Sequence, residues 1–90
     1  MFYKIKKIEP LQNKILKIYF KNGRIKYYNI NKAIKKVKEL EPLKEQKIFQ
    51  NVTVDIGGYA AVWSDDLDID CNELYINGKD NLEEENDSKK

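Results

Sequence analysis

Apolar and polar residues alternate along the first third of the chain in the pattern of β-strands. Residues 14–21 place Leu16, Ile18 and Phe20 on one face and mainly lysine and tyrosine on the other, which predicts a strand with three core residues. A less regular alternation at residues 2–9 predicts an earlier strand, whose pairing should end at Pro10 because proline lacks a backbone donor.

The dipeptide Asn22-Gly23 separates this second strand from a third one. Residues 24–30 are rich in tyrosine and isoleucine, as strands are. Asn-Gly supplies the two positive-φ residues of a type I′ turn, so the sequence predicts a two-residue β-hairpin here.

Helical spacing replaces the alternation after residue 31. Asn31 is the predicted N-cap, and Pro42 is predicted to end the helix because the residue before a proline avoids the α region. One further turn over residues 43–49 is expected to bring Ile48 and Phe49 to the core. The residues that define the apolar face of this helix, with lysines between them, are Ala33, Ile34, Val37 and Leu40.

A second hairpin is predicted in the next stretch. Residues 52–55 and 59–63 predict paired strands, and Gly57-Gly58 between them predicts a tight turn with positive φ. Residues 64–66 are expected to end the hairpin and to cap a short helical turn. The residues with predicted structural roles are Asn22, Gly23, Gly57, Gly58, Trp63 as a core or near-core anchor, and Leu74 and Tyr75 as the pair that closes the sheet.

Together these elements predict an α+β fold. It consists of a small antiparallel sheet of two β-hairpin units, one main amphipathic helix between them, and a short C-terminal helical turn. The 90 residues suit one small domain, which we place at residues 1–77. Residues 78–90 are acidic and lack apolar periodicity, which predicts a disordered tail.

Composition favours a cytoplasmic protein without a membrane contact. Charged residues make up 36% of the chain, and no apolar run approaches the roughly 20 residues of a membrane span. The lysine-interrupted N-terminus lacks the apolar core of a signal peptide. The single cysteine, Cys71, agrees with a reducing compartment.

The net charge of +2 conceals a strong division along the chain. Residues 1–50 contain 14 basic and 4 acidic residues, a net charge of +10, whereas residues 51–90 contain 3 basic and 11 acidic residues, a net charge of −8. Such asymmetry is typical of a basic binding face with an acidic tail, and it is equally compatible with two halves that neutralise each other in one domain.

No catalytic or cofactor-binding residues are predicted, and we expect a protein that is not an enzyme. The chain has no histidine, so Cys71 has no histidine base to activate it and is expected to pack as a small apolar residue. A calcium loop starting at Asp65 would need glycine at its sixth position and glutamate at its twelfth, where Asp70 and Ile76 stand. A metal site at residues 65–73 is therefore a minor hypothesis.

Two surfaces are candidates for a partner. The first is an acidic segment that would bind another protein, comprising Asp65, Asp66, Asp68, Asp70 and Glu73. The alternative is a nucleic-acid-binding surface on the first hairpin and the helix, in which lysines neutralise phosphates and nearby tyrosines stack on bases. Its basic residues are Lys17, Lys21, Arg24, Lys26, Lys32, Lys35 and Lys36.

The order of motifs resembles the small bacterial family known as domain of unknown function 2442. The resemblance covers about residues 1–76, and Ser64 stands where members commonly have proline. It implies an α+β fold with a helix between two hairpin units and no established activity. Because such domains also occur beside small toxin-like partners, it favours an antitoxin-like or inhibitory protein-binding module. The motifs are Leu16, Phe20, Asn22-Gly23, Tyr28 to Ile30, Phe49, Val52, Val54-Asp55, Gly57-Gly58, Val62-Trp63, Asp68-Ile69 and Leu74-Tyr75.

Overall fold

Two three-stranded antiparallel sheets and the helices that accompany them make up residues 1–83, the part of the chain that the computed structural model describes. This arrangement confirms the predicted α+β class. The sheets have the strand orders β1-β2-β3 and β4-β5-β6. The elements are β1 (Ile5–Leu11), β2 (Ile15–Phe20), β3 (Ile25–Asn29), α1 (Ile30–Lys36), α2 (Gln46–Phe49), β4 (Thr53–Val54), β5 (Ala60–Ser64), β6 (Leu67–Asp70) and α3 (Cys71–Asn77), with 3₁₀ segments at Gln12–Lys14 and Lys38–Lys44.

The first sheet uses the apolar face that alternation predicts in β2. Leu16, Ile18 and Phe20 are fully buried and contribute to the single core between the sheets and helices. The expected end of pairing at Pro10 is wrong, since Pro10 pairs with Leu16 and β1 continues to Leu11. An edge strand tolerates proline where its missing N–H would face away from the neighbouring strand.

The turn between β2 and β3 differs from the predicted two-residue type. Gly23 has a φ of 93°, but Asn22 keeps a negative φ. The Gly23 N–H donates to the Phe20 carbonyl oxygen and the Phe20 N–H donates to the Arg24 carbonyl oxygen. This is the longer hairpin loop in which a type I turn is followed by one left-handed glycine.

Helix α1 begins and ends earlier than its apolar periodicity predicts. The N-cap is Asn29, whose side chain accepts a hydrogen bond from the Asn31 N–H at 2.9 Å. The helix ends at Lys36 because Val37 adopts extended φ and ψ, and Val37 remains 43% exposed. The following 3₁₀ segment contains Pro42, so this proline does not end α1.

Helix α2 buries only one of the two residues that the sequence predicts in the core. Phe49 is fully buried, whereas Ile48 is 37% exposed. Adjacent residues on a helix point about 100° apart, so a single short turn buries one of them and exposes the other.

The second sheet contains a strand where a helical turn was expected. Residues 64–66 do not cap a helix, because Asp65 and Asp66 form the tight turn between β5 and β6. Leu67 and Ile69 face the core in the alternating pattern of a strand, and Asp70 caps α3. The short alternation of leucine and isoleucine with aspartates was the sequence signal for β6.

The two sheets meet at Gly58, and helix α3 packs on the first sheet through an aromatic cluster. The Ile5 N–H donates to the Gly58 carbonyl oxygen at 2.7 Å, and Gly58 has a φ of 81°. On α3, the ring of Tyr75 stacks on Tyr3 at 3.7 Å between centroids and meets Phe20 edge-on at 4.9 Å. These ring contacts hold α3 against the N-terminal residues and β2.

Residues beyond α3 continue to contact the first sheet. Lys79 pairs with Tyr27 on β3, and the Asp80 carboxylate accepts hydrogen bonds from Lys26 at 2.9 Å and Arg24 at 3.3 Å. The predicted domain boundary at residue 77 therefore lies before the last contacts of the described chain. The rest of the predicted tail, residues 84–90, lies outside the described residues.

The pairing of Asp80 with Lys26 predicts an asymmetric response to mutation. The Lys26 side chain is only 11% exposed, so Asp80→Asn leaves a mostly buried ammonium without its carboxylate and should lower the melting temperature. Lys26→Met fills similar space without a charge and should lower it less. Thermal melts followed by circular dichroism compare the two variants, and a larger loss in Lys26→Met would contradict the expectation.

The same pair should make stability depend on pH. The hydrogen bonds from Lys26, followed by those from Arg24, hold the pKa of Asp80 below its usual range. A carboxyl group with a lowered folded-state pKa stabilises the fold above its unfolded-state pKa, and this contribution disappears as the pH falls through the folded-state pKa. Between about pH 5 and pH 2 the wild type should therefore lose more thermal stability than Asp80→Asn. Melting temperatures measured across this pH range check the expectation. Parallel curves for the wild type and Asp80→Asn would contradict it.

Candidate functional site

The hairpin that joins β5 and β6 presents three carboxylates to solvent. Asp65 and Asp66 occupy its turn, and Asp68 lies on β6 with its side chain directed away from the core. All three are exposed, because the buried positions of this strand are taken by Leu67 and Ile69. We call Asp65, Asp66 and Asp68 the acidic hairpin.

The other two predicted acidic residues have partners inside the domain. Asp70 accepts a hydrogen bond from the Asn72 N–H at 2.8 Å and thereby caps α3. Glu73 accepts a hydrogen bond from the Tyr28 hydroxyl at 2.8 Å and another from the Asn77 amide at 2.9 Å. The predicted acidic segment thus divides into a structural part and the acidic hairpin.

Two carboxylates elsewhere in the described chain are paired with neighbouring lysines. Glu9 pairs with Lys7 at 3.2 Å, and the hydrogen bond from Tyr19 together with that from Lys7 holds the pKa of Glu9 below its usual range. Glu41 pairs with Lys44 at 2.9 Å. Within residues 1–83, by contrast, the acidic hairpin forms no ion pair, so its negative charge is exposed to solvent.

A groove lies between the acidic hairpin and the segment formed by the 3₁₀ residues Lys38–Lys44 and α2. The indole of Trp63 is half-buried in its wall and donates to the Phe49 carbonyl oxygen at 2.9 Å. The groove encloses about 530 Å³, and its lining has an apolar part and a carboxylate part. The lining residues are Glu39, Pro42, Ile48, Asn51, Trp63, Ser64, Asp66 and Leu67, with no lysine or arginine among these described residues. We call this the Trp63 groove.

The second feature next to the acidic hairpin is the outer edge of β6. The Cys71 N–H donates to the Tyr59 carbonyl oxygen at 2.8 Å, and Ile69 pairs with Ala61. Hydrogen-bonded pairs alternate along an antiparallel ladder, so the backbone groups of Asp68 point away from β5. This edge borders a depression of about 450 Å³ whose far side is formed by the end of α1.

The residues considered for metal binding or nucleophilic chemistry form no such site in the described chain. Within residues 1–83, no three His, Cys, Asp or Glu side chains are grouped closely enough to hold a metal ion. Cys71 is fully buried, and burial together with the neighbouring Asp70 raises the pKa of its thiol. Of Gly57 and Gly58, only Gly58 has positive φ, and its carbonyl oxygen is bound by β1.

The predicted basic residues lie in four places on the fold. Lys17 pairs with Tyr27 on the outer face of the first sheet, whereas Lys26 pairs with Ile18 and faces inward, where Asp80 binds it. The remaining residues of the set lie at the tip of the first hairpin and on α1: Lys21, Arg24, Lys32, Lys35 and Lys36. The fold therefore does not bring the set together on one surface.

The outer face of the first sheet carries a different group of lysines and tyrosines. The Lys17 ammonium lies 5.1 Å from the ring centroid of Tyr19 and 5.9 Å from that of Tyr27, and its pKa is raised, chiefly by its contact with Tyr19. Lys7 lies 5.4 Å from the Tyr19 ring. These lysines lie near the tyrosine rings of the same sheet, and the nucleic-acid alternative stays a prediction.

The Trp63 groove was not anticipated from the sequence. Trp63 and the neighbouring aspartates were visible as an aromatic residue beside charges. The opposite wall comes from Pro42 and Ile48, which lie 21 and 15 residues earlier than Trp63 and approach it because the chain turns after α2 and again between β4 and β5. No local periodicity in the sequence carries that information.

These features define a small α+β domain with an acidic hairpin beside an open apolar groove. The chain belongs to the family described as Protein of unknown function (DUF2442), whose model matches residues 5–80. The match confirms the resemblance and includes Lys79 and Asp80, the residues that contact β3 after α3. No curated protein and no solved structure matches the chain. Among the described residues, no helix has the length and apolar character needed to cross a membrane.

Proposed function

We propose that this domain is a non-enzymatic protein-binding module that binds a basic surface of another protein through the acidic hairpin. The single observation that carries the proposal is that three exposed carboxylates, Asp65, Asp66 and Asp68, lie together on one hairpin and form no ion pair with another described residue. Other carboxylates of the described chain, such as Glu9 and Glu41, are paired with lysines. Opposite charges across an interface guide association and select the partner.

The position of the acidic hairpin supports binding to a macromolecule. Asp65 and Asp66 form the turn and Asp68 follows on β6, where the buried residues Leu67 and Ile69 anchor the strand, so all three carboxylates are exposed on one hairpin. An exposed acidic turn next to a groove can cover a basic functional surface of a partner. This is how an inhibitory or antitoxin-like protein would act, by occlusion rather than by chemistry.

The test is affinity capture with matched charge variants of the full chain. Asp66→Asn/Asp68→Asn removes two charges from the acidic hairpin, and the control Glu41→Gln/Glu45→Gln removes two charges from the exposed helical segment. A captured protein is then purified, and its affinity is measured against each variant. We expect the first variant to bind at least about tenfold more weakly and the control to bind like the wild type.

Two further conditions sharpen the result. Raising the salt from about 0.05 to 0.5 M should weaken binding, since exposed charge pairs are screened. Truncation after Glu83 removes the acidic residues outside the described structure and leaves the contacts of Lys79 and Asp80 intact. Equal affinity of both charge variants, or no salt dependence, would overturn the proposal.

A further inference from the structure

We infer that the Trp63 groove receives an amphipathic basic helix of the partner, with one or two apolar side chains seated against Trp63 and the lysines or arginines of the helix against the carboxylates. This inference rests on the proposed function and specifies its partner. Its basis is the joint presence of an apolar floor and an acidic border in one groove.

The apolar floor is open to solvent in the free domain. Trp63 is half-buried, Pro42 is exposed, and Ile48 retains 37% of its surface, although all three line the same groove. The indole N–H already has a partner in the Phe49 carbonyl oxygen. The part of Trp63 that faces the groove therefore offers apolar area, and covering it with an apolar side chain is favourable.

The charged side chains that line the groove have one sign. Glu39 lies on one wall and Asp66 on the other, and Asp65 adjoins Asp66 in the same turn. No described basic residue lines the groove. A basic segment would gain attraction on both walls, whereas an acidic or nucleic-acid ligand would be repelled.

The walls favour a helix over an added strand. The wall opposite Trp63 is built from the 3₁₀ segment and α2, whose backbones bond within the helical turns and do not offer a sheet edge. Contacts there are made between side chains, as when an amphipathic helix lies in a groove. The edge of β6 does offer backbone groups, but β6 has four residues and carries Asp68 on this edge, a charge pattern that discourages strand addition.

Trp63 is the only tryptophan of the chain, so its fluorescence reports on the groove directly. The probe is a synthetic peptide of about 15 residues with leucines at helical spacing and lysines elsewhere. Titration into the full chain should shift the Trp63 emission to shorter wavelength as water leaves the indole. Two control peptides, one with serine replacing leucine and one with glutamate replacing lysine, should bind at least tenfold more weakly.

Two isoleucines with the same exposed fraction provide matched variants. Ile48 lines the groove and Ile25 lies on the outer face of the first sheet, and each is 37% exposed. Ile48→Asp should weaken the peptide at least tenfold, while Ile25→Asp should leave its affinity unchanged. Glu39→Lys/Asp66→Lys, which alters only exposed side chains, should have a similar effect to Ile48→Asp and tests the groove without an apolar-to-charged change.

An unchanged emission spectrum at saturating peptide, or equal weakening by the Ile48 and Ile25 variants, would overturn the inference. The captured partner separates its failure from that of the proposed function. The single variant Glu39→Lys changes the groove but not the acidic hairpin. If Asp66→Asn/Asp68→Asn loses the partner while Ile48→Asp and Glu39→Lys retain it, the acidic hairpin binds the partner without the groove. If no variant affects the partner, both proposals fail.

Discussion

Gly58→Ala should destabilise the domain far more than Gly23→Ala, although both glycines adopt positive φ, at 81° and 93°. A methyl group at Gly23 would have no atom within 4 Å, so this substitution costs only the left-handed conformation, about 1–2 kcal/mol. A methyl group at Gly58 would lie 2.6 Å from the Ile5 carbonyl oxygen, which belongs to the backbone of β1.

The additional cost at Gly58 comes from the joint between the two sheets. Relieving the contact requires β1 and the β4–β5 turn to separate, and this threatens the hydrogen bond from the Ile5 N–H to the Gly58 carbonyl oxygen. Losing a buried backbone hydrogen bond costs roughly 1–3 kcal/mol, in addition to the conformational cost that Gly23→Ala also carries. For a domain of this size each kcal/mol lowers the melting temperature by about 4–8 °C.

Thermal melts of the two alanine variants measure this difference directly. Gly23→Ala serves as the control for positive φ, and the gap between the two melting temperatures isolates the steric contact with β1. Equal melting temperatures would mean that Gly58 contributes only its φ and that the turn does not hold the sheets together.

Phe49→Ala should cost about 3–5 kcal/mol, because Phe49 is fully buried in the core and its removal leaves a cavity. Native proteins have only about 5–15 kcal/mol of stability, so this loss is a large fraction of the total and should lower the melting temperature markedly. Ile48→Ala, one residue earlier, should cost about 1 kcal/mol or less, since much of Ile48 is already exposed.

Denaturant unfolding followed by Trp63 fluorescence gives both free energies. The indole is hydrogen-bonded to the Phe49 carbonyl oxygen, so the probe reports on this part of the core. The adjacent pair tests how α2 is oriented: similar costs at the two positions would contradict the orientation that directs Phe49 inward and Ile48 toward the Trp63 groove.

Several features of the fold follow from patterns within a few residues. Alternation placed Leu16, Ile18 and Phe20 on the core face, and the glycine of Asn22-Gly23 marked the first hairpin. The leucine and isoleucine between the aspartates follow the same alternation and thus indicate β6. The prediction of a helix cap at residues 64–66 conflicts with this signal. Asp70 is such a cap, which shows that one acidic run held both a strand and a cap.

The errors at α1 have a different origin. Val37 continues the helical spacing of Ala33 and Ile34, yet the chain turns there so that Leu40 and Leu43 reach the core from a 3₁₀ segment. Periodicity records which residues are apolar, whereas the position of the bend depends on packing against the rest of the core. The sequence alone cannot locate that bend.

By itself, the sequence determined the class of fold, the core face of β2, the family and the separation of basic and acidic halves, because each is a property of local pattern or of order along the chain. Only the tertiary structure decided which carboxylates are neutralised. Asp80 forms an ion pair with Lys26 across 54 residues, while Asp65, Asp66 and Asp68 form no ion pair with a described residue. Whether a charge is satisfied depends on distances of a few ångströms between residues far apart in sequence.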